Sequence, residues 1–392
     1  MDLTRTDCFT QNTEGPDCPE RLEMARREGR KTVALVGVAV PEELFWACGA
    51  VPISLGRFVA ETGADRPAIE LPRDVCAAAR TSFNLLARWV ANALVDAVVA
   101  AGGCDWIARI GDRLDGRVPV WPLSVARTNA SIAQGASLSQ SRLGSLEKML
   151  DALERLTDLP LTRRAFAAAH QRAVALEALC DRLDDLRAGS PPALLASDYY
   201  RIIGSLGLSD PQRWSAAAQA LLANPQFKVQ NPKSKIGSPR VLLSGCPTGF
   251  PDTSLVELIE QTGFQIVGED FRAHGGGGGR ERKLRRGGRR AILEWAAEAL
   301  DFGLRISDCG LTGPENDAES ALLDLMAGRR ADGVIRLHYR GCAVSAMEAA
   351  RLQPRLAERG VAVLAIEIEQ VPAASEALRT RLEAFREQLT SQ

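Results

Sequence analysis

The feature that most restricts how this chain can fold is a repeat. Lys31–Gly37 (KTVALVG) is a short valine-rich run closing on glycine, and Pro239–Gly245 (PRVLLSG) follows the same plan much later in the chain. Behind each comes a helix-forming stretch, Pro41–Gly49 (PEELFWACG) and Ser254–Gly263, and then another apolar run, Val51–Leu55 and Gln265–Val267. Asp96–Val99 (DAVV) has its counterpart in Asp332–Ile335 (DGVI), each followed within a few residues by a cysteine, and Val118–Leu123 is matched by Val361–Ile368. Short apolar runs alternating with helical patterns imply parallel strands covered on both faces. The fold class expected is α/β, with two similar Rossmann- or flavodoxin-like parallel-sheet domains.

Between the copies the character changes. About Leu143–Ala223 the chain is dense in Ala, Leu, Arg and Glu at helical spacing, as in Leu146–Leu156 and Phe166–Leu186. Breaks fall at Gly189–Pro192 and Gln230–Pro239. The organisation expected is a tail over 1–29, an α/β domain over 30–140, a helical linking segment over 141–235 and a second α/β domain over 236–392.

Composition excludes several classes. The 392 residues are 46% hydrophobic and 25% charged, the balance of a globular protein. Lys and Arg total 48 against 49 Asp and Glu, so no nucleic-acid partner is expected. No apolar run is long enough to span a bilayer, and the polar stretch Met1–Gly29 does not read as a signal peptide, so a cytoplasmic protein without membrane contact is expected.

Nine cysteines stand out against three histidines, His170, His274 and His338. An odd count with no secretion signal argues for a reducing compartment, where thiols are buried, catalytic or metal-bound. With so few imidazoles, a mostly thiolate site suits an iron–sulfur cluster better than zinc. Cys76 (LPRDVC), Cys104 (GGCD), Cys246 (SGCPTG), Cys309 (SDCGLTGPEND) and Cys342 (YRGC) all lie at strand ends or in loops beside Gly or Pro. In open α/β sheets ligands gather at the carboxyl ends of the strands. Any one of these thiols could be a small buried hydrophobe instead, but five in such places favour a site. Cys48 (FWACGA) and Cys180 (LEALCDRL) sit within apolar helical patterns and read as packing. Cys8 and Cys18, in a polar tail, read as incidental.

These residues in this order resemble the 2-hydroxyacyl-CoA dehydratase and benzoyl-CoA reductase family of iron–sulfur proteins. The resemblance runs from about Gly29 to the C-terminus. It is carried by PEELFWACGAVPISL (Pro41–Leu55), LPRDVC, the Cys104–Asp105 pair, ADGVI (Ala331–Ile335) leading to Cys342, AIEIE (Ala365–Glu369) and TRLEAF (Thr380–Phe385). It implies that Cys76, Cys104 and Cys342 hold a [4Fe–4S] cluster with one iron left open.

Cys246 and Cys309 are similar to the double-cubane branch, in which six cysteines hold an [8Fe–9S] cluster. Five of the six are present; the stretch expected to bear the other, VGEDFRAHGGGGG (Val267–Gly279), has no thiol. Its substitute would be Cys8, Cys18, Cys48 or a non-thiol group such as His274.

The resemblance further implies an ATP-hydrolysing iron–sulfur activator as electron donor, since the chain has no P-loop. The reading favoured is reduction of a small-molecule substrate by a homodimer. The alternatives are a 2-hydroxyacyl-CoA dehydratase subunit in a heterodimer with a related subunit, and a non-catalytic scaffold subunit.

Other features have plainer readings beside functional ones. His338, with Tyr339, precedes Cys342 closely and could donate a proton, though a buried, satisfied histidine is as good an account. Glu42 and Glu43 could place a carboxylate near a cluster, but a helix's first turn favours acids anyway. Asp105 could orient the Cys104 loop or cap the next helix. Arg272–Arg290, with five consecutive glycines, reads as a solvated loop or as a basic lid for CoA phosphates or an acidic patch on the activator.

Overall fold

The computed structural model describes residues 19–37, 40–55, 71–72, 74–102, 104–114, 116–123, 136–223, 237–246, 252–271, 287–307, 317–368 and 375–391. In chain order the first part runs α1 (Glu20–Arg27), β1 (Thr32–Gly37), α2 (Glu43–Ala47), β2 (Val51–Ser54), α3 (Ala77–Ala91), β3 (Ala97–Ala101), α4 (Asp105–Ala108), α5 (Ile110–Arg113) and β4 (Val120–Leu123). Four helices follow: α6 (Ala136–Thr157), α7 (Arg163–Ala188), α8 (Ala196–Ser205) and α9 (Pro211–Ala223). The last part is β5 (Arg240–Gly245), α10 (Ser254–Gln261), β6 (Gln265–Glu269), α11 (Arg289–Ser307), α12 (Asp317–Arg329), β7 (Gly333–Tyr339), α13 (Ala343–Glu358), β8 (Ala362–Ile368) and α14 (Glu376–Thr390).

The repeat is real in three dimensions. Two four-stranded sheets are ordered β2-β1-β3-β4 and β6-β5-β7-β8, and every pairing is parallel. The sequence parallels have atomic causes. Asp96 and Asp332, the first residues of DAVV and DGVI, do the same work in the two sheets. Each carboxylate accepts a hydrogen bond from the backbone N–H that opens the neighbouring strand, Thr32 at 2.8 Å and Arg240 at 2.7 Å.

The glycines closing the first strand of each sheet also match. Gly37 has φ +98° and Gly245 φ +90°. A Cβ on Gly37 would lie 2.0 Å from the carbonyl oxygen of Ala101, and one on Gly245 2.3 Å from that of Leu337. Only glycine allows the chain to turn so tightly over the adjacent strand end.

Helix α7 ties the two halves together. Its 26 residues span about 39 Å at 1.5 Å per residue. Phe166 and Ala169, near its start, pack into the first sheet's core with Leu146 and Leu150 of α6. Leu176, Leu179, Cys180 and Leu183 pack into the second sheet's core with α8 and α10. Helix α11 lies between β6 and β7 in sequence, yet Ile292, Leu293, Trp295 and Ala296 pack into the first core.

At its far end α7 is fixed by Arg187, 1% exposed. Its guanidinium pairs with Asp184 and Glu269 and sits 4.0 Å above the Tyr199 ring, while the Tyr200 hydroxyl donates to Glu269 at 2.7 Å. Removing one partner of such a buried pair strands the other charge, at a cost of about 3–5 kcal/mol.

The two turn glycines give a direct test. Gly245→Ala should lower unfolding stability by about 1–3 kcal/mol, because it adds both strain and a clash with backbone. Gly37→Ala should do the same. Gly116→Ala, also at positive φ (+67°) but with nothing within 4 Å of the added carbon, should cost less than either. Denaturant midpoints for the three variants decide this, and equal losses would contradict it.

Candidate metal centre

Three of the five loop thiols come together. Cys104 follows β3, Cys342 follows β7, and Cys76 precedes α3 in the connection between β2 and β3, so all sit at the carboxyl ends of strands. Each is the residue immediately before a helix, extended in backbone, and none uses its side chain to cap that helix. Helices α3 and α13 thus present their amino ends, with partial positive charge, beside Cys76 and Cys342, one contribution that favours negative charge there.

One glycine makes the meeting possible. Gly341 has φ +80°, and a Cβ there would lie 2.3 Å from the carbonyl oxygen of Asp74 and 3.4 Å from the Cys76 backbone nitrogen. The loop carrying Cys342 therefore touches the loop carrying Cys76 backbone to backbone, joining the two sheets at their carboxyl ends. In the free thiol state Cys76 is held well above the usual thiol range. The first cause is its hydrogen bond with Cys342, then burial, with the charge of Cys104 adding to the effect. Those causes identify Cys342 and Cys104 as neighbours of Cys76. Cys76 is buried; Cys104 and Cys342 are half-buried.

Among the described residues no group of three or more His, Cys, Asp or Glu closes around a single ion. A cubane asks for something different, since each of its thiolates binds a separate iron. Three soft donors from three loops match that demand in type and in convergence.

Cys246 lies next door. It is 3% exposed, its N–H donates to the Leu337 carbonyl at 2.9 Å, and its sulfur is 3.3 Å from the hydroxyl oxygen of Ser345, in the first turn of α13. Cys309 lies outside the described residues, as do Cys8, Cys18 and His274. Cys48 is in the first core, where burial lifts its thiol to about 12 and its charged neighbours are Glu154 and Arg289. Those neighbours belong to α6 and α11, so Cys48 is no stand-in for a sixth ligand. Cys180 is 1% exposed in the second core.

The sequence matches the family described as 2-hydroxyglutaryl-CoA dehydratase, D-component, over residues 37–389. The chain belongs to that family. It is similar to "Putative dehydratase subunit YjiM" of Escherichia coli (strain K12), with 23% identity over 398 residues that cover 96% of this chain and 99% of the relative. It is a dehydratase-like enzyme.

Within this D-component family member the other candidates find partners. Glu42 is 2.9 Å from Arg21, whose side chain is 3% exposed, and so anchors α1 to α2. Glu43 is buried, with Oε1 3.7 Å from Nδ1 of His170. His338, on β7, has Nε2 3.3 Å from Oε2 of Glu367 on β8, and Glu367 also accepts from Arg340 at 2.7 Å. Those contacts hold the Glu367 carboxyl below its ordinary range, Arg340 foremost. Asp105 is exposed in the first turn of α4. No described helix is long and apolar enough to cross a membrane.

Sequence reasoning missed a buried polar network beneath Cys246. Arg336, 0% exposed in the middle of β7, donates to the Ser244 hydroxyl at 2.8 Å and pairs with Glu348 of α13 at 2.7 Å. Asp270 accepts from the Ser244 hydroxyl at 2.5 Å and from the Gly245 N–H at 2.9 Å. The available signal was an arginine inside the apolar run GVIRLHY. Burial raises Asp270, and it raises Glu348 to about 8 despite the Arg336 partner.

The network sets a pH dependence. Glu348 binds its proton more tightly folded than unfolded, so its stabilising contribution is complete below about 4.5 and lost as pH rises toward 8. Glu348→Gln should flatten that decline. Chemical unfolding at pH 5 and pH 8 reads the difference, and an unchanged slope would contradict the assignment.

Proposed function

We propose that the chain is the subunit of a 2-hydroxyacyl-CoA dehydratase that carries a [4Fe–4S] cluster on Cys76, Cys104 and Cys342. The observation that carries this is the convergence of these three thiols where Gly341 meets Asp74. The family description supports the substrate class, a CoA thioester with a hydroxyl at C2.

The reaction explains why such a site is wanted. Water leaves across C2 and C3: the C2–O bond breaks, a proton is lost from C3, and the new double bond leaves the thioester otherwise unchanged. No net oxidation occurs. The C3 proton, however, is not acidified by the carbonyl, so simple acid–base elimination is a poor route. When bound, a cluster with an open iron supplies a Lewis acid for the substrate oxygen and a site for one-electron chemistry.

The chain's own residues do the rest. Three thiolates from both sheets fix the group at the sheet junction, and the amino ends of α3 and α13 stabilise negative charge there. Half-burial of Cys104 and Cys342 is compatible with substrate access to the site. His338, whose Nε2 lies 3.3 Å from Glu367 Oε2, is the group offered for protonating the departing hydroxyl. The partners in this reading are a related subunit and an ATP-hydrolysing iron–sulfur activator that supplies the electron. Membership of a D-component family and similarity to a dehydratase subunit fit a multi-part enzyme.

A second reading, a double cubane that also uses Cys246 and Cys309 to reduce small molecules, is favoured by one observation. Cys246 stands beside the first turn of the helix that Cys342 opens. Single alanine variants separate the two. Cys76→Ala, Cys104→Ala and Cys342→Ala, purified without oxygen, should each lose the cluster's visible absorption and dehydration of a 2-hydroxyacyl thioester in the presence of reduced activator. Cys246→Ala and Cys180→Ala should keep both. Loss in Cys246→Ala would favour the double cubane, and full activity in Cys104→Ala would contradict the proposal.

A further inference from the structure

A second built site lies away from the thiols. A partly open cavity of about 480 Å³ lies between α1, α2, the opening of β2, α7 and the start of α9. None of its lining residues belongs to a thiol-bearing loop. Four arginines face it, Arg21, Arg30, Arg172 and Arg213, against two carboxylates, Glu28 and Asp210. The near-neutral charge of the whole chain hides this local excess.

The carboxylates are already engaged. Glu28 pairs with Arg30 at 2.5 Å. Asp210 accepts from the N–H groups of Gln212 and Arg213, both at 3.0 Å, capping α9. Arg213 is tied to Glu20, and Arg21 to Glu42 at 2.9 Å. A guanidinium carries five N–H groups, more than one acceptor satisfies. The buried Nε of Arg21 has no acceptor among the described residues. Arg172 has no carboxylate partner among them either, and rests on the face of Trp46, 5.7 Å from its centre.

The walls narrow the ligand's chemistry. Positive charge calls for phosphate, which arginine binds through paired N–H groups. The volume lies within the usual range for small-molecule sites and exceeds what a lone ion would fill. Trp46, Met24 and Val51 supply an apolar, partly aromatic side. We infer that this cavity binds a mononucleotide-sized molecule bearing phosphate, with phosphate on Arg172 and its apolar, flat portion toward the side lined by Trp46, Met24 and Val51. The site is distinct from the metal centre, and its occupant would join α7 and α9 to the first sheet.

The test uses the full chain and two probes, ADP and pyrophosphate, in calorimetric titration and thermal melting. ADP should bind, raise the melting temperature and bind less tightly as salt rises. Pyrophosphate, lacking the apolar part, should bind more weakly. Arg172→Ala should weaken ADP binding by about tenfold or more, the equivalent of one charged hydrogen bond, with Arg172→Lys in between. Iron content should be the same in all three proteins, which separates this site from the metal centre. No ADP binding, or wild-type affinity in Arg172→Ala, would overturn the inference. Equal affinity for pyrophosphate and ADP would overturn the nucleotide assignment.

Discussion

The arrangement depends on one contact between backbones. At Gly341 the chain leaving the second sheet passes so close to Asp74 that a methyl group would not fit. Everything about the thiol site follows from that approach. It sets Cys342 beside Cys76, and Cys104 enters from the third strand of the first sheet. Two similar halves each build a strand end with a cysteine loop, and among the described residues the three neighbouring thiols come from both halves.

Such a junction is only as firm as the bodies that meet there. Helix α7 holds them in place by contributing apolar residues to both cores and burying Arg187 against Glu269 and two tyrosines. Helix α11 adds a second tie, crossing from the second sheet's connection into the first core. Beneath Cys246, Arg336 and Glu348 join β7 to α13, the helix that Cys342 opens. Through Ser244 the same arginine also reaches β5, so this network links three elements around Cys246.

Much of the fold was legible because it is written twice. KTVALVG with PRVLLSG, and DAVV with DGVI, announce two parallel sheets, and the structure shows why these residues recur: a turn needing glycine, and a carboxylate receiving the first N–H of its neighbour strand. The thiols at strand ends were visible for the same reason, since strand ends are marked by glycine. What could not be read is what depends on contacts distant in sequence. Nothing in RAILEWAAEAL says that α11 leaves its own sheet for the other. Glu42 looked like a site carboxylate, and only the fold reveals Arg21 beside it. Arg336 was a visible oddity in an apolar strand, but its partners Glu348, Ser244 and Asp270 come from three other segments. The arginine-lined cavity draws on five segments with no common motif.

Three thiols from two sheets are proposed to carry one cubane. Iron and acid-labile sulfide per chain, measured on protein purified without oxygen, tests it most directly. About four of each are expected. No iron, even after anaerobic reconstitution, would contradict it outright, and about eight would show that the thiols around Cys246 carry a second cubane.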